Sequence, residues 1–163
     1  MTKKPITSIE TPIRLEYQIT AGRALSTFLR AVEQKRIIGS RVGPGGKVYV
    51  PPRVACPTTA ELTSDEVEVA QTGIITTFCV VNIPFEGQQL TPPYVCACVL
   101  LDGADVPIFH MVGEVEVSEV RVGMRVRAQW VDDADLAPTL ESIRYFVPTG
   151  EEDAPYDTYK EHI

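Results

Sequence analysis

From residue 66 onward the chain is written in short β-branched runs joined by turns, and this constrains the fold more than anything else in it. VEVAQTGIITTFCVVNIPF, PYVCACVLLDG, ADVPIFHMVGEV, MRVRAQWVDD and ESIRYFVPT are rich in Val, Ile, Thr and aromatic residues, the types that fit a pleated, half-buried surface. No helical periodicity separates them. Asp102-Gly103 makes LLDGADVPIF a hairpin, and Gly73 marks a bend or bulge. Turn-linked runs of this length predict a five-stranded OB-fold barrel over residues 63–148, with a small sandwich as the alternative. The segment 149–163 is acidic, contains Pro155 and reads as a mobile tail.

Before the barrel the signal is helical. In TAGRALSTFLRAVEQKR, residues Leu25, Phe28, Leu29 and Val32 make one apolar stripe. The pattern predicts a helix over Ala21–Gln34 capped by Thr20, docked on its own domain or on another protein. Residues 1–18 read as an extended arm with weak alternation at Ile13, Leu15 and Tyr17; arm and helix together make a unit over 1–35.

Between helix and barrel lies Gly39–Thr59, GSRVGPGGKVYVPPRVACPTT. Two tight loops flank a strand-like Lys47–Val50 and the stiff Pro51-Pro52-Arg53. Two loops placed this way have the outline of zinc knuckles, which in a four-thiolate ribbon each supply a Cys pair. Only Cys56 is a cysteine here. The glycine run is not a nucleotide loop, because no helix follows and no Lys-Ser/Thr closes it. The overall expectation is a mainly β chain with an N-terminal helix. It comprises a degenerate zinc-ribbon (rubredoxin-like) hairpin over 36–62, then the barrel.

Charge and cysteine usage narrow the function. A net charge of −7 repels phosphate backbones and makes nucleic acid a poor partner, although a single-stranded nucleic-acid module on the OB face is the alternative reading. The cations Arg23, Arg30, Lys35, Arg36, Arg41 and Lys47 fall in the N-terminal third, and the acids gather later. No signal peptide and no apolar run of spanning length is evident, so no membrane association and a reducing cytoplasm with free thiols are expected. Cys96 and Cys98, two apart on a strand, share a face and read as core filling; the aromatics Tyr49, Phe78, Tyr94, Phe109 and Trp130 read likewise. A Cys–His nucleophilic pair from His110 with Cys79 or Cys98 is formally available, but a structural strand histidine is the simpler reading.

The order of segments carries a family resemblance. A helix, then KVYVPPRVACP, TGIITTFCVVNIPF, PPYVCACVLLDGADVPIFH and VRVGMRVRAQW resembles the bacterial and archaeal zinc-ribbon/OB-fold proteins that accompany thiolase-like enzymes. It does so over about residues 21–148. The resemblance implies a non-catalytic subunit that completes a thiolase-type or steroid side-chain aldolase enzyme acting on acyl-CoA esters in lipid or steroid catabolism. It implies a thiolase-like partner, a hydratase-like (MaoC-type) subunit beside it, and a hetero-oligomer. By position, the family's ligands fall on Val42, Gly45, Cys56 and Thr59, so zinc is expected to be lost and no cofactor retained; acyl-CoA would be bound by the complex. Arg36, Lys47 and Arg53 would contact CoA phosphates or the partner, with Tyr49, Pro51, Pro52 and Arg53 forming the interface. Metal analysis of the purified protein is expected to return zinc well below stoichiometric; one zinc per chain refutes the loss.

Overall fold

The computed structural model describes residues 4, 6–11, 15–63 and 65–163. The stripe Leu25–Val32 does form a helix, α1 (Gly22–Val32). It is shorter at both ends than the sequence predicts. Gly22 has φ +68°, a left-handed turn of the backbone that cuts Thr20 off from the helix, and no side chain caps the N-terminus. At the other end Lys35 takes φ +54°; Lys35 N–H donates to Val32 O and Arg36 N–H to Ala31 O, both at 2.9 Å. This pair of bonds around a left-handed residue is a Schellman closure, made here without the usual glycine. Phe28 and Val32 are fully buried against their own chain, which decides between the two docking alternatives for the stripe. In the arm, Leu15, Tyr17 and Ile19 are exposed and form no strand; Ile13 lies outside the described residues.

After α1 comes a three-stranded sheet in the order β2-β1-β3, made of β1 (Ile37–Arg41), β2 (Val48–Tyr49) and β3 (Asp65–Val69). The β1–β2 turn spans the glycine run, and Gly46 is required in it. A Cβ there would meet Val42 O at 1.7 Å. The segment 65–69, which the sequence joins to the first barrel strand, pairs instead with β1 over five positions, Ile37↔Val69 to Arg41↔Asp65. The chain then turns at Ala70-Gln71 into the barrel.

The barrel is closed, with strand order β4-β5-β6-β8-β7, from β4 (Thr72–Val81), β5 (Tyr94–Leu101), β6 (Ile108–Val112), β7 (Arg125–Trp130) and β8 (Ile143–Pro148). This is the five-stranded OB arrangement expected. Gly73 sits in β4 against β5; a Cβ there would meet Leu100 O at 2.4 Å. A bulge between Ile75 and Thr77 shifts the register of the rest of β4. Inside, Ile75, Val99, Val126, Ile143 and Phe146 are fully buried. They join Phe28, Val32, Ile37 and Val48 in one apolar cluster, so helix, small sheet and barrel share a core.

Three expectations are corrected. Cys96 and Cys98 are not core filling: Val95, Ala97 and Val99 occupy the inner face of β5, and period-two alternation puts the two thiols outside. Phe109 is 62% exposed and Phe78 36%, so the aromatics are not uniformly core. The C-terminal segment is docked, not mobile. Tyr159 is buried, Ala154 N–H donates to Gly123 O at 2.8 Å, and Arg121 grips Asp153 through two bonds of 2.5 and 2.7 Å. Among the described residues no helix is long and apolar enough to cross a membrane.

The strongest polar tie in the barrel is Asp102. Its carboxylate accepts from Arg125 Nη1 and Nη2 at 2.7 and 2.6 Å and from Thr72 Oγ1 at 2.5 Å, linking the ends of β4, β5 and β7. The Arg125 guanidinium above all, with Thr72, holds this carboxyl below its usual range. A carboxylate whose folded pKa is depressed stabilises the fold above its unfolded pKa of about 3.9, and that contribution disappears as pH falls through the lower folded value. Asp102→Asn is therefore expected to lower Tm at pH 7 and to converge with the wild type as pH falls through the depressed folded value. Thermal melts across pH check this; a constant difference in Tm contradicts it.

Candidate functional site

The two loops of the 39–63 stretch come together beside the small sheet. The first is closed by Val42 N–H to Lys47 O at 3.1 Å, the second by Cys56 N–H to Glu61 O at 2.8 Å and Ala60 N–H to Cys56 O at 2.9 Å. They face each other closely enough that a Cβ on Gly43 would touch Glu61 Oε1 at 3.0 Å. Two opposed loops are present, with one thiol, Cys56, between them. Of Val42, Gly45, Cys56 and Thr59 only Cys56 has a soft donor, and no group of three His, Cys, Asp or Glu side chains among the described residues is arranged for a metal. A structural zinc needs about four ligands, so these residues do not fit the ion.

What surrounds Cys56 is a set of hydroxyls. Its Sγ lies 3.3 Å from Thr58 Oγ1 and 3.5 Å from Tyr49 Oη. Hydrogen bonds from Thr58, then Thr59 and Tyr49, stabilise the thiolate and lower the Cys56 pKa to about 6. In return the same bond raises the Tyr49 phenol above its ordinary value. Ser40 anchors the next residues: its Oγ donates to Arg53 O and accepts from Arg53 N–H, both at 2.9 Å. Tyr49 itself is buried and meets the outside through the Arg53 guanidinium, 5.7 Å above its ring centroid.

The structure brings Tyr49, Pro51, Pro52 and Arg53 together and leaves Arg36 apart. Arg36 lies at the opposite end of β1 from Lys47, about 16 Å away for a five-residue strand. Its guanidinium is engaged by Glu68 at 2.9 and 2.7 Å. Lys35 is likewise paired with Asp133. Lys47 and Arg53 are exposed and have no ion-pair partner among the described residues. Pro52 and Arg53 line a cleft of about 270 Å³ between α1 and the small sheet, with Arg23, Thr27, Thr63 and Asp65 around it.

One residue important to this site is absent from the sequence reading. Asp105, in the β5–β6 turn, accepts from Val48 N–H through Oδ2 at 2.8 Å, and its own N–H donates to Val48 O at 2.9 Å. These bonds fasten the outer edge of β2 to the barrel. The LDGAD turn is the visible signal, although nothing local says that its last carboxylate serves a strand 57 residues earlier. His110 gains no catalytic geometry. It pairs with Ala97 and Cys98 pairs with Phe109, so ring and thiol occupy opposite faces of the sheet. Its ring packs edge-on to Phe146, Nδ1 accepts from Met111 N–H at 2.9 Å, Nε2 lies 3.4 Å from Leu140 O, and burial pushes its pKa down.

With this geometry in view the comparisons are informative. Residues 66–131 match the family model described as the C-terminal OB-fold domain of ChsH2. The match takes in β4 to β7 of the barrel, and the OB fold expected from the sequence is the one observed there. Among solved structures, the chain is similar to the "Ltp2-ChsH2(DUF35) aldolase", with TM-score 0.62 and 22% identity, covering 80% of this chain and 98% of that one. A DUF35-family protein of unknown function from Sulfolobus solfataricus aligns with TM-score 0.57 and 19% identity over 78% of this chain and 84% of that one. A curated relative, the "Probable enoyl-CoA hydratase alpha subunit" of Thermomonospora curvata, is 28% identical over 149 residues, 91% of this chain. The chain spans 46% of that relative's length.

The hydroxyl cage makes a direct prediction. Ultraviolet absorbance of the Cys56 thiolate, taken as the difference from Cys56→Ser, is expected to rise with pH through a midpoint near 6, a readout that does not require reagent to reach the buried sulfur. Thr58→Val removes the first of the stabilising bonds and is expected to move that midpoint up by about one unit. An unchanged midpoint contradicts the cage.

Proposed function

We propose that this chain is an accessory subunit that binds a thiolase-like enzyme acting on acyl-CoA esters and completes its active site without supplying catalytic groups. The observation that carries this reading is the fold match. The chain covers 98% of the similar solved structure called the Ltp2-ChsH2(DUF35) aldolase, and residues 66–131 match the ChsH2 OB-fold model. The name of the hydratase relative supports a hydratase-like subunit in the same complex, and with it a role in lipid or steroid breakdown. In this reading the metal-free ribbon meets the partner. Its hydrogen-bonded loops hold Pro51, Pro52 and Arg53 in place, and Arg53 and Lys47, with no ion-pair partner among the described residues, offer positive charge to the partner or to CoA phosphates.

The single-stranded nucleic-acid reading gains no support. Phe78 and Phe109, the exposed barrel aromatics, sit on opposite faces of the β4–β5–β6 sheet and do not make one stacking platform. The net charge of −7 opposes a phosphate backbone.

Co-expression with a thiolase-fold protein, with the chain tagged, tests the proposal. The partner is expected to co-purify. Arg53→Glu is expected to weaken the association about tenfold or more, equivalent to about 1.4 kcal/mol, with Tm nearly unchanged, because the side chain is exposed. Absence of any thiolase-fold partner, or intact association with a collapsed Tm, counts against it.

A further inference from the structure

The cysteines displaced from the core form an arrangement that the proposed function does not use. Cys79 on β4 and Cys96 on β5 are direct partners in the antiparallel register. Both side chains point to the outer face, since the alternate positions Val95 and Ala97 are buried. We propose that Cys79 and Cys96 are a reversible cross-strand thiol pair, converted to a disulfide by hydrogen peroxide or a related hydroperoxide.

Strand geometry selects this pair among the four cysteines. Directly opposed residues on antiparallel strands have Cα atoms about 4.5–5.5 Å apart, inside the roughly 4.4–6.8 Å range of disulfides. Cys98 is diagonal to Cys79, at about 7–8 Å, outside that range. Cys96 and Cys98 stand two apart on one strand with parallel Cβ directions, which does not allow the close Cβ approach a disulfide needs. Cys56 belongs to the 39–63 loops, where its neighbours are hydroxyls.

Access and burial assign the roles. Cys79 is exposed and Cys96 half-buried, flanked on its other side by Met111 of β6. Burial first, and then the neighbouring Cys79, push the Cys96 thiol up, so Cys96 stays protonated until it is needed. The Cys79 thiolate attacks one peroxide oxygen, the O–O bond breaks, and the departing hydroxide takes up a proton as water, leaving a sulfenic acid on Cys79. Cys96 sulfur then attacks the Cys79 sulfur. The S–O bond breaks, and the second hydroxide leaves as water with the Cys96 proton. Two thiols and one peroxide give one disulfide and two waters; the thiols lose the two electrons that the peroxide gains. The bond would form on the outer face beside Met111 and Cys98 without disturbing the core.

The test is peptide mapping of the whole reduced chain after brief hydrogen peroxide treatment. A Cys79–Cys96 linked peptide is expected in the wild type and in Cys98→Ser, lost in Cys79→Ser and Cys96→Ser, and reversed by dithiothreitol. Circular dichroism confirms that each variant is folded; Cys79→Ser, at an exposed site, is the variant least open to misfolding. Sulfinic or sulfonic acid accumulating on Cys79 with Cys96 still free overturns the proposal, as does linkage to Cys98 or between chains.

Discussion

The two hydrogen bonds between Val48 and Asp105 are the constraint on which the arrangement of this molecule depends. Strand β2 pairs with β1 at only two positions, Ser40↔Tyr49 and Arg41↔Val48. A strand so short exposes backbone donors and acceptors on its outer edge, and a buried edge must find partners for them. Asp105 supplies both from the barrel's β5–β6 turn, one through its side chain and one through its backbone. The edge of the small sheet is thereby satisfied by the barrel. Val48 and Val50 then pack into the same cluster as Leu101 and Ile108, and α1 covers the seam. The hairpin is held by the barrel it precedes.

Within the 39–63 stretch the loops are held by short-range devices. Each loop is closed by backbone bonds across its neck, and Ser40 and Thr63 both hold Arg53 O, at 2.9 and 2.5 Å. A zinc ion would tie both loops through about four strong bonds at one point. Here many weaker bonds, each worth about 1 kcal/mol net, are spread over the stretch. The lone Cys56 survives as a hydrogen-bond partner of Tyr49, and its lowered pKa follows from accepting hydroxyl donors.

Much of the fold was legible because its signals are local. The β-branched runs, the turn glycines and the Leu25–Val32 stripe each state their structure within a few residues. What was not legible depends on partners distant in sequence. Residues 65–69 read as barrel because nothing in DEVEV marks its pairing with β1. The C-terminal segment looked solvated because its acids are plentiful, but Tyr159 packs beside Gly123, where a Cβ would stand 3.0 Å from the phenol oxygen. Cys96 and Cys98 looked like core because the whole run YVCACVLL is apolar; alternation alone cannot say which of two apolar faces is inside. At the site, the loops and Pro51-Pro52-Arg53 were visible, while the separation of Arg36 from Lys47 required the sheet.

That separation also bears on recognition. The cations of the N-terminal third gave the impression of a basic front, but a cation already engaged by a carboxylate offers little to a phosphate. Lys35 and Arg36 are engaged, by Asp133 and Glu68, and Arg125 is committed to Asp102. Lys47 and Arg53 are free of such pairing among the described residues, and they flank the two loops. Positive charge presented beside these loops on an acidic molecule can select a complementary partner electrostatically. Rigidity matters as much as charge, because fixing Arg53 over Tyr49 before binding removes part of the ordering cost that a loose arginine would incur.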